Sequence, residues 1–193
     1  MKGEFMGNFS IRLSSLLTGF LVFITVANFV FLFKYNTPKD NDYIQTMTVA
    51  QLKKELDCMT INIYREAGYE PIEGRIAVAQ VTMNRVEHPD FPKSVCGVVY
   101  QKSAVMSKVV CQFSWYCDSA HRNRPVNQKA YDESYEVAKK VMIEGFRLDG
   151  LKDALYYHAD YVNPRWRLER IGKIGTHIFY KEKGGDHAKL AGI

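Results

Sequence analysis

Two runs of apolar residues at helical spacing, parted by a glycine and a proline, constrain this 193-residue chain more than any other feature. Leu52, Leu56, Met59, Ile63 and Ala67 recur every three or four residues, the repeat of one buried helix face. Thr48 followed by Gln51 fits a capping box at the start of that helix, and Gly68 a stop at its end. Pro71 then suits the first turn of a second helix, whose stripe Ile72, Ile76, Ala79, Met83 and Val86 is widened by Ala77, Val78 and Val81. A stripe that broad predicts a helix covered on several sides, hence a central one.

The remaining segments are shorter. Pro89 and Pro92 end the second helix, and SVCGVVYQK offers one more helical turn. Residues 104–117, AVMSKVVCQFSWYC, read as a small hairpin or extended lobe. Asn127 caps a helix carrying Ala130, Ser134, Val137, Ala138, Val141 and Met142, stopped by Gly145. The last part, from Asp153 onward, is aromatic and irregular, with short extended pieces. With 47% hydrophobic residues and 13% aromatics there is material for one real core. The expected class is α+β, mostly α, with a small β-hairpin lobe, in a domain over 48–185 and a tail over 186–193.

The first part of the chain belongs to another environment. Leu13 to Phe33 is free of charge and close to the ~20 residues a helix needs to cross a bilayer. An uncleaved signal anchor over 13–33 is expected, after a short cytoplasmic tail (1–12) and before a polar tether (34–47). A cleaved signal peptide is the competing reading, although Lys34, Tyr35 and Asn36 supply no small-x-small site. Lysines and arginines flank the run almost equally, so orientation comes from the cysteines. Cys58, Cys96, Cys111 and Cys117 form an even set after the anchor with no C-x-x-C pair. They favour an oxidising compartment, periplasmic or outside the cytoplasmic membrane, over four reduced cysteines. A Cys111–Cys117 bridge would leave Cys58 to Cys96, among three possible connectivities. The net charge of +5 suits an anionic polymer or surface without demanding nucleic acid, and no nucleic-acid partner is expected.

Glu66 stands out within this frame. It lies in the last turn of the first helix, on the side of Met59, Asn62 and Ile63. Burial and the negative end of the helix dipole both oppose its charge, which suits a carboxylic acid that keeps its proton near neutral pH. Such an acid can protonate the leaving oxygen of a glycosidic bond. A plain structural reading pairs Glu66 with a buried arginine: Arg65, Arg75 or Arg85.

Five ordered segments carry a resemblance: YREAGYEPIEGRIAVAQVTMNRV (64–86), FPKSVCGVVYQ (91–101), CQFSWYCD (111–118), ALYYHADYVNPRW (154–166) and IGTHIFYK (174–181). The set resembles the cell wall hydrolase family typified by the spore-cortex-lytic enzymes SleB and CwlJ, over roughly 56–181. The resemblance implies a lysozyme-like, mostly helical fold and lytic transglycosylase action on peptidoglycan. It also implies one glutamate as acid and base, at the position of Glu66. One departure is visible: where the family usually reads E-A-R-G-E-P, this chain reads Glu66-Ala67-Gly68-Tyr69-Glu70-Pro71. The helix exit differs, and Tyr69 is a candidate to replace the missing substrate contact. The cysteine-rich CQFSWYCD is similar to phage and Gram-negative forms of the family, which suggests a membrane-anchored phage endolysin.

The matching motifs nominate Gln112, Trp115, His158, Trp166, His177 and Tyr180 for a glycan groove, with aromatic faces under sugar rings. Tyr157, Phe113 and Phe179 read as core. A hydrolase would need a second carboxylate ~5 to 9.5 Å away, from Glu70, Glu73, Asp118 or Asp160. Glu70 and Glu73 also suit the first turn of the second helix for its dipole alone. Asn84 and Arg85 read as a helix cap and an ion pair, with contact to the glycan as the alternative, and Arg122, Arg124, Arg165, Arg167 and Arg170 as a solvated basic surface whose charge could hold the anionic wall. No H-x-x-x-H pair, serine elbow or phosphate loop is present, so neither metal nor cofactor is expected. The enzyme reading stands against an anchored, disulfide-stapled glycan-binding module without catalysis.

Overall fold

The computed structural model describes residues 42–105 and 108–184, and Thr25 upstream of them. The chain divides after Asp40, and every element named below lies in the unit Asn41–Ile193. The span expected at 13–33, apart from Thr25, and the tail expected at 186–193 lie outside the described residues. Among the described residues no helix is long and apolar enough to cross a membrane.

Folded structure starts inside the segment expected as a tether. Helix α1 (Asp42–Gln45) is held because the Tyr43 hydroxyl donates to Glu55 at 2.8 Å and accepts from the Val95 amide at 2.9 Å. Helix α2 (Val49–Ala67) opens on the expected capping box, in which the Thr48 hydroxyl accepts from the Gln51 amide and Gln51 Oε1 from the Thr48 amide. It ends at Gly68 in a right-handed conformation, not the left-handed one usual for a glycine stop. Glycine is needed there for another reason: a Cβ would stand 2.4 Å from the Tyr64 carbonyl oxygen.

Helix α3 (Ile72–Glu87) is the central element. Its Ile76, Ala79, Met83 and Val86 join Leu56, Met59 and Ile63 of α2, Val95, Val98 and Val99 of α4 (Val95–Val99), and Val137, Ala138, Val141 and Met142 of α7 (Gln128–Met142) in the main core. Its opposite side sends Ala77 and Val81 into a second cluster with Leu151, Ala154 and Phe179. As expected, Asn127 caps α7, accepting from the Ala130 amide at 3.0 Å.

The lobe expected over 104–117 holds a hairpin, β1 (Lys102–Val105) against β2 (Lys108–Cys111), that starts and ends earlier than expected, residues 114–117 being helical. Two short helices follow it, α5 (Ser114–Cys117) and α6 (Ser119–Arg122). The C-terminal part is more regular than its sequence suggests. Strands β3 (Tyr156–Ala159), β4 (Glu169–Ile174) and β5 (His177–Lys181) form an antiparallel sheet in the order β3-β5-β4. The pairing of Tyr157 with Phe179 and Ala159 with His177 places these residues on one face, and that of Tyr156 with Tyr180 places this pair on the other.

Asn84 and Arg85 neither cap α3 nor close an ion pair. The Asn84 amide donates to the carbonyls of Leu151 and Ala154 at 2.9 and 2.8 Å, and Arg85 Nε to that of Leu155 at 2.8 Å. These three carbonyls precede β3, so two polar side chains of the central helix hold the segment that leads into it.

The disulfides are Cys58–Cys96 and Cys111–Cys117, with no free cysteine. The first joins residues 38 apart and the second residues 6 apart. In the chain-entropy account the longer loop stabilises by about 4 kcal/mol and the shorter by about 2. Replacing Cys58 and Cys96 by alanine should therefore lower the urea midpoint roughly twice as far as replacing Cys111 and Cys117, measured in otherwise identical protein.

Candidate active site

Glu66 sits in the last turn of α2, one residue before its end, and lines a cleft of 320 Å³ with Tyr64, Arg65, Tyr69, Glu70, His121, Arg124 and Pro125. Glu66 as a residue is half-buried. The Tyr157 hydroxyl donates to Glu66 Oε2 at 3.2 Å, from a strand 91 residues away in sequence.

None of the three arginines that could have neutralised Glu66 does so. Arg65 donates to the carbonyls of Arg122 and Arg124, both at 3.0 Å. Arg75 pairs with Glu133 at 2.7 Å and donates to the Gly68 carbonyl. Arg85 is 3% exposed and satisfied by neutral groups. Besides Leu155, it has Gln112, whose amide oxygen, oriented toward Arg85 as the network requires, accepts from both terminal nitrogens at 3.1 and 3.2 Å. The guanidinium also stands over the rings of Phe113, Phe91 and Tyr156 at 5.2, 5.5 and 6.0 Å.

The electrostatics of the acid follow. Loss of water pushes the Glu66 pKa from its ordinary 4.5 to about 7, and only in part do the Tyr157 hydrogen bond and the Arg85 charge oppose this. Near neutrality the carboxyl is poised between acid and base. Burial likewise drives the Tyr157 hydroxyl well above its usual range, so it stays a donor.

Other carboxylates are engaged elsewhere. Glu70 lines the same cleft but accepts from both the amide and the hydroxyl of Thr176. Partial burial pushes its pKa up, but these bonds outweigh it and the net direction is down. The turn it grips needs Gly175, which has φ +58° and where a Cβ would stand 1.8 Å from Glu70 Oε2. Asp118 caps α6, accepting from the amides of Ala120 and His121. Asp160 pairs with Lys173 at 2.7 Å. Glu73 is exposed and borders a different cavity, of 490 Å³, beside Leu148 and Ile171.

The remaining nominated residues divide. Trp115 is core, not groove: it is 3% exposed, and its Nε1 donates to Asn62 in the interior at 3.0 Å. Tyr69 is 82% exposed at the cleft rim. His177 is buried against Tyr157, ring centroids 5.1 Å apart, and among the described residues its Nδ1 has no hydrogen-bond partner; burial lowers its pKa. His158 stacks on Tyr180, with its Nε2 within 2.9 Å of the Tyr180 hydroxyl, and Trp166 meets both rings edge-on. Since Tyr180 pairs with Tyr156, this cluster lies on the sheet face opposite Tyr157. For a metal, His88, Asp90 and Glu182 bring one potential ligand atom each within 4.8 Å of one another, the one such group among the described residues.

Sequence reasoning missed the bond of Tyr157, taken for core, to Glu66, and the placement of Arg65, His121 and Arg124 beside that acid. Neither has a local signal, because both depend on contacts between distant segments.

A family model described as Cell Wall Hydrolase matches residues 69–180, more than half of the chain. The chain belongs to the cell wall hydrolase family. The match begins three residues after Glu66, so the case for that acid rests on its geometry. Spore cortex-lytic enzymes are similar: that of Bacillus cereus is 32% identical over 67% of this chain and 45% of its own length. Those of Bacillus subtilis and Oceanobacillus iheyensis are 32% and 31% identical, over 61% and 76% of this chain and 34% and 49% of theirs. This chain thus spans less than half the length of each of these relatives. Among solved structures, the catalytic domain of the Bacillus cereus SleB protein is 28% identical with a TM-score of 0.49, covering 67% of this chain and 91% of that one. The catalytic domain of the germination-specific lytic transglycosylase SleB from Bacillus anthracis is 31% identical with a TM-score of 0.49, covering 67% and 95%.

The raised acid has a stability consequence in this family member. Between pH 4.5 and about 7 the folded chain keeps a Glu66 proton that the unfolded chain has lost. Stability from this group therefore falls as pH rises through that window, by on the order of 3 kcal/mol, and levels off above it. Glu66→Gln removes the effect, so urea titrations should show the variant gaining on the wild type from pH 4 to pH 8. A constant difference across that range would contradict the assignment.

Proposed function

We propose that this protein cleaves the glycan strand of peptidoglycan as a lytic transglycosylase, with Glu66 as its single acid and base. One observation carries the reading: a carboxyl lining an open cleft, free of any ion pair among the described residues, with its pKa raised to about 7. The family membership and the activity printed for the Bacillus anthracis relative support the same reaction class.

Protonated Glu66 gives its proton to the bridging oxygen as the anomeric C1–O bond breaks, and positive charge develops on the sugar. The carboxylate formed is held by the Tyr157 hydroxyl and faces the field of buried Arg85, groups already in place when charge appears. It then takes the proton of the muramic acid 6-hydroxyl as O6 bonds to C1. Glu66 is again protonated, no water is consumed, and a 1,6-anhydromuramic end results. A hydrolase would need a second carboxylate to activate water. Glu70 is the one other acid lining this cleft among the described residues, and its bonds to Thr176 commit it to the β4–β5 turn. A non-catalytic binding module would gain nothing from holding an unpaired acid away from water.

The same reading places the enzyme behind an anchor. The uncharged run 13–33 and two disulfides support a catalytic domain in the periplasm or outside the cytoplasmic membrane, acting in lysis or wall remodelling.

Mass spectrometry of fragments released from purified sacculi tests the reaction. The full chain should release anhydromuramic ends, Glu66→Gln should lower the rate at least ~10²-fold, and the wild-type kcat/KM should fall tenfold per unit above about pH 7. Reducing ends would overturn the transglycosylase reading in favour of a hydrolase.

A further inference from the structure

The cleft beside Glu66 holds more positive charge than bond cleavage uses. Arg65, His121 and Arg124 form one wall of it. Arg65 donates from one terminal nitrogen to two carbonyls, which do not cancel its charge, and among the described residues its buried Nε has no hydrogen-bond partner. Arg124 is exposed, and among the described residues neither arginine is in an ion pair. The acids of the cleft are not paired with these arginines among the described residues: Glu66 is held by the Tyr157 hydroxyl and Glu70 by Thr176.

This wall is also held in place. The Cys111–Cys117 bridge anchors the start of the segment, Asp118 caps α6 within it, and Arg65 clips the carbonyls of Arg122 and Arg124. The backbone that carries Arg124 is therefore positioned at the edge of the cleft while its guanidinium remains available, the arrangement that suits recognition of a planar anion.

The sugar rings of an N-acetylated glycan are neutral. Anionic groups near the bond come from the substituent on the muramic acid: its lactyl carboxylate when bare, or the carboxylates of an attached peptide. Resting on the function proposed above, we infer that Arg124, backed by Arg65, recognises a carboxylate of the muramyl substituent. The enzyme thereby selects glycan carrying free carboxylates at the cut over glycan whose substituents are neutral.

Three soluble preparations of peptidoglycan fragments separate the possibilities: intact, with carboxylates amidated by carbodiimide and methylamine, and stripped of peptide so that only lactyl carboxylates remain. The full chain should show a KM roughly tenfold higher on amidated than on intact fragments, with kcat within about twofold. Arg124→Gln should show that higher KM already on intact fragments and lose nothing more on amidated ones. Stripped fragments that behave as intact ones assign the contact to the lactyl carboxylate; those that behave as amidated ones assign it to the peptide. A wild type indifferent to amidation, or an Arg124→Gln variant that still discriminates, overturns the inference. Equilibrium binding of the same fragments to the Glu66→Gln chain reads the preference without any bond being cut. Folded wild type that cleaves none of the three would instead count against the transglycosylase reading alone.

Discussion

The arrangement of this site depends on how the charge of Arg85 is satisfied. A guanidinium buried in the domain interior needs partners, and the nearest way to supply them would be an ion pair with Glu66, which would lock the acid in its charged form. Instead Arg85 is held by the Leu155 carbonyl, the Gln112 amide oxygen and three aromatic faces. It remains close enough to pull the Glu66 pKa down in part, but burial dominates and the carboxyl settles at about 7. Glu66 can then give up a proton and take one back at similar cost, as a group that serves as acid and then as base requires.

The rest of the fold serves this arrangement. Central helix α3 carries Arg85 and Asn84, and their bonds to residues 151–155 hold the segment that leads into β3, the strand from which Tyr157 reaches Glu66. The hairpin between the helices brings Gln112 to Arg85, and its disulfide ties it to the segment that walls the cleft. Glu70 fastens the β4–β5 turn to the end of α2, so the sheet is joined to the helices at both sides of the acid. A carboxylate that resembles a catalytic partner in sequence is thus occupied in holding the two parts together.

Much of this was legible in the chain because it is local. The capping box at Thr48, the central stripe of α3, the Asn127 cap and the hairpin follow from spacing and turn residues alone. The anomalous position of Glu66 on an apolar face was legible too. Contacts across sequence were not. Tyr157 in YYHA looks like any strand aromatic, and only the register of β3 against β5 shows which of Tyr156 and Tyr157 faces the acid. Trp115 reads as a sugar platform until its indole is found bonded to Asn62 in the core. The start at Tyr43 escaped notice because a short polar segment can be fixed by one tyrosine bridging Glu55 and Val95.

The central claim is that Glu66 titrates near pH 7 because it is desolvated and no arginine among the described residues pairs with it. The most direct test is a carbon-13 NMR titration of the glutamate carboxyls in the full chain, with Glu66 assigned from the Glu66→Gln spectrum. The account requires a resonance titrating at about 7 that the substitution removes. A Glu66 midpoint at or below its ordinary 4.5 would mean a charged, partnered carboxylate, and would contradict it.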